Sequence, residues 1–166
     1  MTEPVTAFLD PFAVAAAGIA LGFIGGFVGS AIGILRAANA GLSVLAEDPG
    51  SFKWVMLLSS LPMTQTFYGF IYTLLGFTSV LPSVTETLTI AKAAAIFTVS
   101  LAVMLAELFS AAYQGAVCMS GILELVKTKG RIATSTMILA SYEELFGILG
   151  MVLGYLVVTI IAGLPI

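Results

Sequence analysis

The chain has 166 residues, of which 60% are hydrophobic and only 9% are charged. Its mean hydropathy is +1.13. Since so few polar groups could not cover the surface of a water-soluble domain, the composition predicts a membrane protein. The net charge of −3 and the lack of any basic run in the sequence give no support to a nucleic-acid partner.

Four apolar stretches predict four membrane-spanning helices, because about 20 apolar residues cross the hydrocarbon core. They are expected near 12–46, 52–79, 88–126 and 132–163. The third and fourth reach this length only if Glu107, Glu143 and Glu144 lie inside the membrane. The N-terminus carries Glu3 and Asp10 where a secretory signal would be basic, so the first helix is expected to remain in the protein.

The connections between these helices are short. Two tight polar turns, 46–53 and 126–131, join the helices in pairs, and the segment 78–86 connects the pairs with Pro82 as its predicted breaker. Four of the six basic residues lie in or beside the two tight turns. The positive-inside rule therefore predicts a multi-pass cell-membrane protein with both turns in the cytoplasm and both termini on the outer side.

The two halves of the chain resemble each other. A shift of 80 residues without a gap superposes both tight turns and several identical positions, among them Ser30 with Ser110 and Gly50 with Gly130. We interpret the chain as a tandemly duplicated helical hairpin, with the first hairpin at 1–82 and the second at 83–166. The fold class is therefore all-α, with four transmembrane helices.

Glycine forms a stripe along the first helix. Its members recur at intervals of three and four residues, at Gly18, Gly22, Gly25, Gly26, Gly29 and Gly33. Such stripes let helix backbones approach closely in lipid. Two interpretations remain open from the sequence: close packing within one four-helix bundle, or a crowded ring of identical subunits.

The second helix carries a polar stripe where hydrocarbon would favour apolar side chains. Leu61, Thr64, Gln65 and Tyr68 recur on one helix face. Pro62 lacks an N–H, so it loosens the helix and makes a backbone carbonyl available for another partner.

Three helices place a polar side chain at a common depth. Gln65 lies 12 residues after Lys53. Gln114 lies 13 residues before Lys127, and Glu144 lies 13 after Arg131. At about 1.5 Å per residue, these side chains lie some 20 Å from the flanking charges, near the bilayer midplane.

A carboxylate at this depth needs a neutralising partner, which is a proton or a metal cation. Carboxylate, amide, hydroxyl and carbonyl oxygens are the ligands of hard cations, and their number here favours Na⁺. The hydroxyl of Tyr68 is placed to donate to Glu144. Taken one at a time, Thr64, Gln65 and Gln114 are better explained as hydrogen-bonding groups between helices, but the whole set at the depth of a glutamate is not.

Two further carboxylates stand apart from this constellation. Glu143 points about 100° away from Glu144, so it is the weaker candidate for an ion ligand. Glu107 lies seven residues before Gln114 on the same face of the third helix. It is interpreted either as a protonated acid bonded to a neighbouring helix or as part of an ion exit route, the first being favoured.

Three segments carry a resemblance to a known family. "LPMTQTFYGF" (61–70), "FSAAYQG" (109–115) and "ELFGILG" (144–150) lie on the second, third and fourth helices. In this order they resemble the rotor-ring proteolipid (c/K) subunits of V-type ATPases, most closely subunit K of the bacterial Na⁺-translocating enzymes. The resemblance covers nearly the whole chain, although Glu107 and Glu143 are not recognised as part of the pattern.

The resemblance implies an ion site and a set of partners. The Na⁺ ligands would be the carbonyl of Leu61 and the side chains of Thr64, Gln65, Gln114 and Glu144, with Tyr68 bonded to Glu144. Identical subunits would form a homo-oligomeric ring in membrane lipid, turned by ATP hydrolysis against a stator membrane subunit and attached to central-stalk subunits. The chain itself would catalyse no bond chemistry.

Three alternatives to this function follow from the sequence. The same ring could carry protons in place of Na⁺. A small four-helix secondary transporter with a membrane glutamate, and a purely structural membrane subunit, are more distant. The structural subunit is disfavoured because it gives no reason to place oxygen-bearing side chains at one depth.

Overall fold

The computed structural model describes residues 10–166, and these contain four long helices and no strand. The helices are α1 (Pro11–Glu47), α2 (Pro49–Val84), α3 (Ile90–Leu123) and α4 (Ala133–Gly163). Each is long and apolar enough to cross a membrane. The four predicted spans are therefore confirmed to within a few residues at most ends, while Glu3 lies outside the described residues.

Two aspartates cap the starts of α1 and α2. At the start of α1, the Asp10 carboxylate accepts from the Phe12 N–H at 3.2 Å, and Pro11 occupies a position that needs no N–H donor. At the start of α2, the Asp48 carboxylate accepts from the Gly50 N–H at 3.0 Å and from the Ser51 hydroxyl at 2.7 Å, while the Asp48 N–H bonds to the Val44 carbonyl at the end of α1. These bonds close the first tight turn directly into α2.

Two of the three prolines of α2, Pro62 and Pro82, lie where the helix changes its winding. Pro62 lies in a single 3₁₀ turn, Leu61–Met63, and Pro82 follows a π-helical segment, Gly76–Val80. The N–H of Leu81 bonds to the carbonyl of Gly76, five residues back. Because Pro82 then stands in the first turn of Leu81–Val84, it does not break the helix as predicted. The connection to α3 lies instead at 85–89.

The second tight turn depends on left-handed backbone conformations. After a short helical turn, Leu125–Thr128, Lys129 has φ 51° and Gly130 has φ 78°. A glycine adopts such a φ without the steric cost that a side chain adds. The turn reverses the chain so that α4 runs back beside α3.

The glycine stripe of α1 packs inside the chain. All six glycines are buried, and they alternate between α2 and α3 as neighbours. A Cβ on Gly25 or Gly29 would collide with the α3 backbone, whereas one on Gly26 would collide with the α2 backbone at Gln65. Close approach within one subunit therefore explains the stripe, and α1 and α3 form the tightest helix pair.

The interior is layered along the helix axes. One apolar cluster, around Leu58, Ile122 and Leu125, lies toward the tight turns. Another, around Ile19, Tyr72 and Ile96, lies toward the termini. Between these clusters lies a layer of buried polar side chains, comprising Gln65, Glu107, Ser110 and Gln114. Large apolar side chains cover the outer faces of the helices, as expected of a surface in contact with lipid or identical copies.

Candidate ion-binding site

The carboxylate of Glu144 on α4 is held by two side chains from two other helices. The Tyr68 hydroxyl on α2 donates to Oε1 at 2.6 Å. The Gln114 amide on α3 donates to Oε2 at 2.6 Å and to the carbonyl of Ala140 at 3.2 Å. Hydrogen bonds to a carboxylate are about twice as strong as those between neutral groups, so these contacts fix the orientation of Glu144.

The two glutamine side chains connect α2 to α3. The Gln65 amide nitrogen donates to Gln114 Oε1 at 3.2 Å and to Ser110 Oγ at 2.9 Å. The Ser110 hydroxyl in turn donates to the carbonyl of Glu143 on α4 at 2.6 Å. Both amides are buried, so every one of these bonds replaces a lost contact with water.

The 3₁₀ turn at Pro62 adds the backbone carbonyl of Leu61 to this network through Thr64. The Thr64 hydroxyl donates to the carbonyl of Leu61 at 3.0 Å and lies 3.2 Å from Gln65 Oε1. The Leu61 carbonyl also accepts from the Thr64 N–H. The Thr64 hydroxyl therefore links the Leu61 carbonyl, in the 3₁₀ turn at Pro62, to the Gln65 amide oxygen.

Every residue predicted for the site lies in this one hydrogen-bonded network. It contains Leu61, Thr64, Gln65, Tyr68, Gln114 and Glu144. Ser110, which anchors both Gln65 and α4, was not predicted from the sequence. Its position four residues before Gln114, on the same face of α3, was the available signal.

The other charged residues of the membrane layer take no part in holding the Glu144 carboxylate. Glu143 is half-buried and lines an apolar groove of about 810 Å³ between α3 and α4, together with Phe109 and Phe146. Glu107 is fully buried on α3. Arg36 on α1 donates to the carbonyl of Ala112 at 3.1 Å. None of them hydrogen-bonds to Glu144 in the part of the chain that the structure describes.

The donor set of the network suits a hard monovalent cation. It consists of a carboxylate, two amide oxygens, a hydroxyl and a backbone carbonyl, and it contains no sulfur or imidazole ligand. Residues 10–166 contain no cluster of three or more His, Cys, Asp or Glu side chains that could hold a metal ion, so a cation here would depend on neutral oxygens beside one carboxylate. The network therefore brings one negative charge and several oxygens together.

Comparison with known proteins shows the family of this chain. The family model for the C subunit of ATP synthase matches residues 14–75. The V-type sodium ATPase subunit K of Enterococcus hirae is 33% identical over 147 residues, which cover 89% of this chain and 90% of that protein. The chain belongs to the rotor-ring proteolipid family of V- and A-type ATPases.

A second relative extends the same likeness to an archaeal enzyme. The A-type ATP synthase subunit K of Methanocaldococcus jannaschii is 32% identical over 162 residues, covering 92% of this chain and 66% of that protein. Proteolipids of this family assemble into oligomeric rings. The chain is therefore a multi-pass membrane subunit of a rotor ring.

Proposed function

We propose that this proteolipid carries Na⁺ through the membrane as part of a rotating ring. The observation that carries the proposal is the buried network of oxygens, drawn from α2, α3 and α4, around the single carboxylate of Glu144. The name of the Enterococcus hirae relative, a sodium ATPase subunit, supports the choice of ion. A proton would need only a carboxyl oxygen and one acceptor, so it gives no reason for so many converging oxygens.

The Na⁺ ligands in this proposal are the Leu61 carbonyl, the Thr64 hydroxyl, the amide oxygens of Gln65 and Gln114, and the Glu144 carboxylate. Tyr68 is a positioning residue, because its hydroxyl holds Glu144 without supplying a charge. Binding of Na⁺ to Glu144 makes the site electrically neutral. A neutral site can face lipid without the large cost of an exposed charge.

The ring would then work by sideways transport. Identical copies carry their loaded sites past a stator membrane subunit, where the ion leaves Glu144 for an aqueous path. ATP hydrolysis in the soluble head drives the rotation, and central-stalk subunits transmit it to the ring. The tight turns at 46–53 and 126–131 face the cytoplasm in this arrangement. The hairpins 1–82 and 83–166 are a duplicated unit of which the second supplies the ion-binding carboxylate, and the chain performs no bond chemistry.

Carbodiimide labelling of purified rings tests the proposal, since the reagent attacks a protonated carboxyl. We expect labelling to map to Glu144, and Na⁺ to suppress it at concentrations where K⁺ has no effect. The Glu144→Gln variant is expected to lose the labelling that Na⁺ suppresses. The Glu143→Gln variant is the matched control, because it makes the same change at the adjacent position, in the groove outside the network.

Other outcomes distinguish the alternatives. Labelling of Glu144 that responds to pH but not to Na⁺ would identify a proton-carrying ring. Transport that survives replacement of Glu144 by alanine would show that the network is structural. Particles of two copies rather than a large ring would favour a small secondary transporter.

A further inference from the structure

The Glu107 side chain is the most unusual group in the membrane layer. It is fully buried, yet neither carboxyl oxygen has a hydrogen-bond partner within residues 10–166. The carboxyl faces α4 where that helix has glycines. A Cβ on Gly147 would lie 3.1 Å from Glu107 Oε2, and one on Gly150 would lie 3.9 Å from Oε1. The backbone of α4 therefore packs over this acid, and both carboxyl oxygens are buried within the subunit.

No neighbouring charge compensates an ionised Glu107. The one ion pair in the described part of the chain joins Lys127 to Glu124 in the second tight turn. The ionisable groups near Glu107 are Glu144 on α4 and Tyr68 on α2, and neither is a cation. Transfer of an unpaired carboxylate into such surroundings carries a large desolvation cost, which protonation removes.

The hydroxyl oxygen of Ser110 is an acceptor near a protonated Glu107. Ser110 lies one turn along α3, and its Oγ is also 3.1 Å from the position of a Cβ on Gly147. That oxygen accepts one bond, from Gln65, and donates one, to the carbonyl of Glu143. Since a hydroxyl has two acceptor positions, one remains free for a donor.

We propose that Glu107 binds a proton permanently and acts, through Ser110, as a positioning residue for the ion site. A small rotation of its carboxyl lets the acid O–H donate to Ser110 Oγ. Ser110 in turn orients Gln65, whose amide oxygen is a ligand in the proposed Na⁺ site. Glu107 is thus a second membrane carboxyl that remains neutral while Glu144 exchanges its ion. This inference rests on the proposed Na⁺ site.

Infrared spectroscopy of purified rings tests the protonation state. In saturating Na⁺ the Glu144 carboxyl is ionised, so we expect the remaining C=O stretch of a protonated carboxyl to come from Glu107. The Glu107→Gln variant should lose this band. The Glu143→Gln variant should keep it and is the matched control. A band that persists in Glu107→Gln, or its absence from wild-type rings, would overturn the proposal.

Na⁺ binding tests the positioning role. Glu107→Gln keeps an N–H donor for Ser110, so half-saturation by Na⁺ is expected within about twofold of wild type. Glu107→Leu keeps the approximate volume but lacks a donor, and we expect about tenfold weaker binding. A leucine variant that binds Na⁺ as tightly as wild type would contradict the assignment. A glutamine variant that binds less Na⁺ than wild type would contradict it as well. Absence of Na⁺ binding by wild-type rings would instead refute the proposed function itself.

Discussion

At the scale of single residues, neutral side chains orient the one charged carboxylate of the site. Glu144 accepts from a phenol and an amide rather than from a lysine or arginine. A fixed cation there would satisfy the carboxylate and leave no need for a mobile ion. The neutral donors orient Glu144 while its negative charge stays available for Na⁺. This distinction separates an ion carrier from an ordinary buried ion pair.

The Tyr68→Phe variant isolates the contribution of one donor. Removal of the hydroxyl leaves Glu144 Oε1 without its 2.6 Å bond and the carboxylate less firmly oriented. We expect the Na⁺ concentration that half-protects Glu144 from carbodiimide to rise about tenfold, which corresponds to about 1.4 kcal/mol for a hydrogen bond to a charged group. Ring assembly should be unchanged.

The control for this prediction is Tyr113→Phe. Tyr113 is exposed on α3 and stacks on Phe109 at a ring separation of 5.8 Å, outside the Glu144 network. Removal of the Tyr113 hydroxyl should not change the Na⁺ concentration that half-protects Glu144 from carbodiimide. Equal effects of the two substitutions would mean that Tyr68 has no special role.

At the scale of helices, close backbone packing positions the polar layer. Gly26 allows α2 to approach α1 at Gln65, and Gly33 admits both α3 and Pro62. Dispersion contacts fall off steeply with distance, so in lipid this proximity is the main source of helix association. The glycines therefore act on ion binding indirectly, by setting the distance between the helices that carry the ligands.

Substitution of Gly115 by alanine tests this dependence. A Cβ there would collide with the backbone of Gly33, which cannot move without separating α1 from α3. We expect a loss of about 1–3 kcal/mol per subunit, seen as a lower temperature of ring dissociation in detergent. Gly163→Ala is the control, since its Cβ would meet no atom within 4 Å. Equal dissociation temperatures for the two variants would rule out tight packing at Gly115.

At the scale of the whole molecule, the outer surface is unsuited to an isolated subunit in water. Large apolar side chains such as Phe67, Phe70 and Phe146 are about half exposed. The groove between α3 and α4 is likewise lined mainly by apolar side chains. Lipid and neighbouring copies in the ring remove such surface from water.

The size of the purified oligomer, measured by native mass spectrometry, tests ring assembly. Purified protein should appear as a single large oligomer whose mass is an integral multiple of 17.2 kDa. Stepwise dissociation should release one protomer mass at a time, because a closed ring contains one kind of interface repeated around an axis. A population consisting only of dimers would contradict ring assembly.

The sequence alone determined the properties that depend on position along one helix. Hydrocarbon thickness dictates span length, and counting from basic turns placed Gln65, Gln114 and Glu144 at one depth. Only the tertiary structure decided which faces meet. It showed that Ser110 anchors Gln65 and that α2 continues past Pro82. It also showed that the Glu107 carboxyl has no hydrogen-bond partner among the described residues. Helical periodicity defines a residue's depth and face, whereas its neighbours depend on how four separate helices pack together.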